Sequence, residues 1–315
     1  MSYEQLVEDH HKILFRDNVA MVAQQVTNHI MGAVTVIPAS GEAVNAADLV
    51  GKVEASDIEE HSRTNPDNPA GKSRRWLVYP IGIESGELIT KDVMFKHAMD
   101  STSMLLRAHV AAVVRKQQDR ILGVKAKVGG GWEMSGRGLF GQASGGKLPG
   151  TDLSDLPSGN FIPHNAAGGS TGLNTEKLRK ATEAMELADF GFETEMAVYC
   201  AITPKQKTDL LNLALATKTQ LNQFQLQQIE SGKPTTLLGI TWIFTNRLPT
   251  DANGYRLCPI WTKENVIVGE WQGINGRIWN DTSKRNLPQI MVDAYLDATR
   301  IEDIGVRVIR CEEAA

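Results

Sequence analysis

From Ile290 to Thr299 the chain alternates strictly, with Ile290, Val292, Ala294, Leu296 and Ala298 on one side and Asp293, Tyr295, Asp297 and Thr299 on the other. In an extended backbone successive side chains point to opposite faces, so this pattern predicts a strand with one buried and one solvated face. Arg300 to Gly305 supplies a turn, and Val306, Val308 and Ile309 predict a partner strand that closes at Arg310 and Cys311. Upstream lie a strand-like run from Arg256 and a glycine-spaced connector, Gly273 to Asn286. No side chain between Arg256 and Cys311 is arranged for catalysis, so the tail reads as scaffold.

A chain of 315 residues exceeds one ordinary domain and predicts two compact units, or one domain carrying a large excursion. Hydrophobic content of 42% and charged content of 22% are those of a soluble globular protein. No apolar run approaches the roughly 20 residues of a membrane span, so no membrane association is expected. The first residues, MSYEQLVEDHHKILF, place acids and histidines where a signal peptide needs a basic patch and an apolar segment, which predicts a cytosolic protein. A net charge of −4 argues against a dedicated nucleic-acid binder and leaves incidental contact with nucleic acid open. The three cysteines, Cys200, Cys258 and Cys311, form no disulfide framework and read as small buried hydrophobes.

Residues 1 to 31 carry apolar positions at roughly helical spacing, from Leu6 through Ile13, Leu14 and Val19 to Val26. Beyond Gly32 that period fades into Gly, Pro, Asn and Ser, and the sequence predicts a long two-stranded excursion. Its outward limb is expected near Leu49 to Ile58 and its return limb at Arg74 to Ile83. A long excursion from a compact domain usually serves binding or assembly. Its charges are sorted, with Glu54, Asp57, Glu59 and Glu60 on the outward limb and Arg63, Lys72, Arg74 and Arg75 following. A charge run can simply face water. Sorted charge can also dock a neighbouring copy, arginine being suited to forked contacts with carboxylates.

Ser103 to Leu122 predicts the longest helix, with Leu106, Val110, Val113, Val114 and Ile121 on one stripe and Gly123 placed to end it. Gly129 to Gly172 reads as glycine-rich loop with one short strand, followed by a helix over Thr175 to Ala188. Glu195 to Ile202 reads as a buried strand running into Thr203-Pro204-Lys205-Gln206, a helix start in which Thr caps, Pro takes the first helical position and Gln sits at the capping-box position. Thr236 to Phe244 predicts a further strand.

Two glycine patterns imitate nucleotide sites. Gly136, Gly138 and Gly141 fit a dinucleotide fingerprint but lack the preceding strand, the following helix and the later acid. Gly141 to Lys147 fits a phosphate loop, yet Leu148 stands where Ser or Thr must hold magnesium. Seven histidines show no metal-ligand spacing, and no nucleophile elbow occurs. No cofactor or metal is therefore expected and the chain reads as no enzyme, although residue patterns leave a dispersed active site open.

Arg74-Arg75-Trp76, Asp119-Arg120-Ile121-Leu122-Gly123, the stretch Tyr199 to Leu211, Trp261-Thr262-Lys263 and Ala298-Thr299-Arg300 occur here in a distinctive order. With them the chain resembles the major capsid proteins of tailed bacteriophages, of the α+β Hong Kong 97-type fold. The resemblance implies an N-terminal arm at 1–31, an E-loop hairpin at 32–90, a P-domain with its spine helix at 91–167, an A-domain at 168–275, a P-domain return at 276–304 and a C-terminal strand at 305–315. Asp297 departs from it, standing where a small residue is expected. It further implies a homo-oligomer of pentamers and hexamers in an icosahedral shell around double-stranded DNA, assembled in the host cytoplasm. Portal and decoration proteins are implied as partners. The lack of a long N-terminal extension points to a separate scaffolding protein. A non-viral, encapsulin-like compartment shell is the alternative, and a nucleotide-binding enzyme using Gly141 to Lys147 the distant one.

Overall fold

A computed structural model of the chain describes residues 27–53, 55, 69–89, 102–169, 171–190, 196–216, 236–237 and 239–313. The expected N-terminal helix lies outside these residues, apart from its last few positions. In chain order the described strands are β1 (Thr35–Pro38), β2 (Ala43–Val50), β3 (Lys72–Val78), β4 (Ile83–Leu88), β5 (Val124–Ala126), β6 (Trp132–Met134), β7 (Ala143–Gly145) and β8 (Asp152–Ser154). They continue as β9 (Phe161–Ile162), β10 (Val198–Ile202), β11 (Thr236–Leu237), β12 (Ile240–Phe244), β13 (Arg256–Thr262), β14 (Val266–Asp281), β15 (Leu287–Arg300) and β16 (Val306–Cys311). The helices are α1 (Thr102–Leu122), α2 (Thr175–Glu186) and α3 (Pro204–Ala216).

The chain divides into two compact units. The first comprises Met1–Asn28, Pro80–Gln118 and Trp271–Leu296. In it β4 lies antiparallel to β15, with Ile83 opposite Ala294, and β14 is the other neighbour of β15. The predicted apolar stripe of α1 packs here: Val113 is buried with Ile83, Val292 and Ala294, and Leu106 and Val110 lean on the same cluster. This packing of an apolar helix face on an apolar sheet face stabilises the unit, since burial yields about 25 cal/mol per Å².

The second unit comprises His29–Tyr79, Asp119–Glu270 and Asp297–Ala315. Its largest sheet has six strands in the order β11-β12-β10-β13-β16-β9. Cys200, Ile202, Cys258, Ile260, Val306 and Val308 are buried along it, as an interior sheet requires. Trp261, 1% exposed, donates its indole N–H to the carbonyl of Ala33, so the largest buried ring also satisfies its one polar atom. A second sheet, β2-β3-β7-β8, contains the described part of the excursion. Its hairpin register sets Asp48 opposite Arg74 and Val44 opposite Leu77, with a bulge between Asn45 and Ala47.

Four expectations need correction. The partner predicted for the C-terminal alternating strand is not its neighbour, since β16 pairs with β13 and β9 while β15 pairs with β4. Asn265 pins the turn between them: its side-chain amide donates to the carbonyl of Glu302 and its side-chain oxygen accepts from the N–H of Glu302, where the chain leaves for another sheet. The supposed connector Gly273 to Asn286 is mostly strand, because β14 runs on to Asp281 and turns over through Arg285 and Asn286 at positive φ. Gly129 to Gly172 holds four short strands, β6 to β9, rather than one.

The second face of β15 is also not solvated. Asp293, Asp297 and Thr299 are buried and Tyr295 is half-buried. Alternation reports which side is apolar and is silent on whether a further layer covers the polar side.

Candidate functional site

Of the eight charged residues singled out for contacts between copies, Glu54, Asp57, Glu59, Glu60 and Arg63 lie outside the described residues. Lys72, Arg74 and Arg75 sit on β3, and the strand period separates them. Lys72 is exposed and makes no ion pair among the described residues. Arg74 donates from Nε to Asp48 Oδ1 at 2.5 Å, across the hairpin register, and its guanidinium lies 5.1 Å from the centre of the Trp76 ring. The Arg74 hydrogen bond holds the Asp48 carboxyl below its ordinary value. Both partners are solvent-exposed, so the pair adds little stability. Arg75 points the other way. Its side chain is 16% exposed, donates from Nε to the carbonyl of Ile301 at 2.7 Å and approaches Asp303 at 3.8 Å.

The rod helix ends in a closely packed clamp. Gly123 adopts φ +78°, and a Cβ there would fall 1.7 Å from the carbonyl oxygen of Arg137. Leu139 and Phe140 donate their N–H groups to the carbonyls of Ile121 and Leu122, so the glycine loop caps the last turn of α1. Asp119, 4% exposed, accepts two bonds of 2.6 Å from Arg247, whose guanidinium lies 4.6 Å from the Trp132 ring centre. These contacts give the Asp119-to-Gly123 run its physical meaning.

The same geometry disposes of the nucleotide motifs. Gly138 presses against the carbonyl end of α1, whose partial charge is negative, and Gly141 against the backbone of Gly136 and Arg137, whereas a pyrophosphate needs the amino end of a helix. Gly141 to Lys147 enters the β7–β8 hairpin, with Ala143 opposite Ser154, and no helix follows it directly. Among the described residues no cluster of three or more His, Cys, Asp or Glu is placed to hold a metal ion.

Several polar groups that the sequence did not mark as buried lie in the interior. Asp297, 7% exposed, lines a cleft of about 220 Å³ with Trp76, Val78, Gln142, Ser144 and Thr299. Burial pushes its carboxyl from 3.8 up to about 6, partly offset by the charges of Arg137 and Arg120, and its Oδ1 has no hydrogen-bond partner among the described residues. Lys177, fully buried on α2, donates to the carbonyls of Thr171, Gly172 and Arg310, and burial pulls its ammonium below the ordinary lysine value. The three cysteines are all buried, as expected of small hydrophobes. A hydrogen bond to Cys311, with burial, raises the Cys258 thiol. In the first unit, Ser85 Oγ lies 2.8 Å from His109 Nδ1 and Glu87 lies 3.6 Å from Nε2, which staples α1 to β4. Among the described residues no helix is long and apolar enough to cross a membrane.

Residues 7–313 match the family model described as phage capsid protein. Solved structures share the fold at low identity. A capsid of cyanophage P-SCSP1u matches with a TM-score of 0.65 and 13% identity over 95% of this chain and 92% of that one. A structure of Mycobacterium phage Adephagia matches at 0.63 and 13%, over 100% and 99%. The holo-SrpI encapsulin complex from Synechococcus elongatus matches at 0.60 and 11%, over 96% and 94%. A search of curated proteins finds no match in sequence. The fold is thus the α+β, Hong Kong 97-type arrangement.

Proposed function

The chain belongs to the phage capsid protein family, and from that membership we propose that it closes an icosahedral head by forming pentamers and hexamers around packaged double-stranded DNA. The observation that carries this reading is the family match over nearly the whole chain, joined to a capsid-type fold. Head-to-tail contacts that close by rotation generate such rings. The chain would assemble in the host cytoplasm, with a separate scaffolding protein, a portal and a decoration protein as candidate partners. The encapsulin likeness concerns fold and keeps a compartment shell as the second reading.

In this reading the excursion at 32–90 lies over the adjacent subunit. Apolar contact provides most of the affinity, and the acids Glu54, Asp57, Glu59 and Glu60 meet a basic patch that fixes register. Lys72 and Arg74 are the exposed cations that support a docking role. A charge swap tests it. Lys72→Glu with Arg74→Glu is expected to cut the yield of sedimenting particles, and adding Asp57→Lys with Glu59→Lys to recover part of it. Normal yield from the first pair refutes the docking role of those cations.

A further inference from the structure

We propose that Arg75 is a clasp that fastens the root of the excursion to its own subunit, a role that rests on reading 32–90 as the assembly arm. The β2–β3 hairpin is extensive within itself, with seven paired positions from Ala43↔Val78 to Val50↔Lys72. Its fastening to the rest of its unit combines a short strand junction with side-chain ties. β3 meets β7 at one pair, Trp76 opposite Ser144, beside one indole bond from Trp76 Nε1 to the carbonyl of Gly146 at 3.0 Å. The Lys52–Asp189 ion pair farther out is 77% and 70% exposed and holds little. Leu77 is fully buried on the same strand, and Arg75 adds a charged tie beside it.

The surroundings of Arg75 are built to receive it. Gly145 leaves the gap through which its guanidinium passes, since a Cβ there would come within 3.0 Å of Nη1. The acceptor side is fixed before Arg75 arrives. Asp303 Oδ1 accepts from Arg300 Nε at 2.5 Å, and the Asp303 carbonyl accepts from Asn160 at 2.5 Å. Arg300 is itself wholly buried and tied to the carbonyls of Gly141 and Ser154. The turn that carries the Ile301 carbonyl is pinned by Asn265, as described above. A fork that donates to a carbonyl while facing a carboxylate needs arginine geometry, which a lysine point charge does not reproduce. Arg75 therefore sets where the hairpin leaves the body, and Arg74 and Lys72, on the opposite face of the strand, stay exposed toward another copy.

Hydrogen exchange by mass spectrometry tests the clasp on the full-length chain kept below its assembly concentration. Peptides spanning 72–79 and 142–146 report the β3–β7 junction. A charged hydrogen bond of this kind predicts about tenfold to a hundredfold faster exchange in both peptides for Arg75→Ala. Arg75→Lys is expected to fall between Arg75→Ala and the parent, and Asp303→Asn to loosen the same two peptides. Arg74→Ala should stay within about twofold of the parent, with far-ultraviolet circular dichroism unchanged throughout. Exchange within about twofold of the parent for Arg75→Ala overturns the clasp. If that variant also fails to form particles, Arg75 acts between copies, and the docking reading survives without the clasp. If the Lys72 and Arg74 reversals leave assembly intact while Arg75→Ala loosens the junction, docking fails and the clasp stands.

Discussion

Asp297→Asn should make the protein more stable at neutral pH, although it removes a charge that lies near two arginines. The carboxyl is 7% exposed, and burial raises it from 3.8 to about 6. For an acid raised on folding, the ionised form is the disfavoured one in the native state. Its cost is fully present above the folded value and disappears as pH falls below the unfolded one. A rise of that size corresponds to about 3 kcal/mol, at about 1.36 kcal/mol per pH unit. At pH 8 the whole amount opposes folding, at pH 5 about half of it remains, and near pH 3.5 almost none. Asparagine keeps the shape, can still accept from the N–H of Ala298, and carries no charge to desolvate. Its amide also brings a donor into a cleft lined by Ser144, Gln142 and Thr299, which can receive it. The expected gain is therefore about 1–3 kcal/mol at pH 8, roughly halved at pH 5. Urea unfolding of the unassembled chain at the two pH values measures it. Equal effects at both values, or a loss of stability at pH 8, refutes the assignment of the shift to desolvation.

Three further substitutions probe the packing. Gly123→Ala forces a side chain into a left-handed backbone position and onto the carbonyl of Arg137, and is expected to cost at least about 3 kcal/mol, read as lost soluble yield and a lower unfolding midpoint. Arg247→Ala removes both 2.6 Å bonds that the buried Asp119 carboxylate accepts from this guanidinium, so a loss of about 3–5 kcal/mol is expected in denaturant unfolding. Lys177→Met fills a similar volume but strips three carbonyls of their donor. A destabilisation of about 2–3 kcal/mol in the same assay is expected, and a neutral outcome shows that the lysine's own desolvation cancels its bonds.

Local signals were legible and non-local ones were not. The rod helix was readable because its apolar stripe and terminal glycine are contiguous in the chain, and α1 begins one residue before the predicted Ser103. The start of α3 was readable for the same reason: the N–H of Thr203 donates to Gln206 Oε1, which is one half of the expected capping box. The partner of β16 was not readable, because its neighbours β13 and β9 come from segments distant in the chain. Nor did the sequence disclose that Asp297 and Arg300 are buried, since the covering residues Trp76, Val78, Gly141 and Ser154 come from distant segments. At the candidate docking site the types and sorting of charge were legible. Their division of labour was not, because Arg74 and Arg75 differ only in the face of β3 they occupy, and what faces each is a tertiary fact.

Cryo-electron microscopy of the chain, expressed alone and with its candidate scaffolding partner, tests the shell assignment most directly. The account predicts closed particles in at least one arm, with this chain arranged around five-fold and six-fold axes and its excursion crossing onto the neighbouring subunit. Only discrete soluble species in both arms, or shells in which the excursion stays on its own subunit, would contradict it.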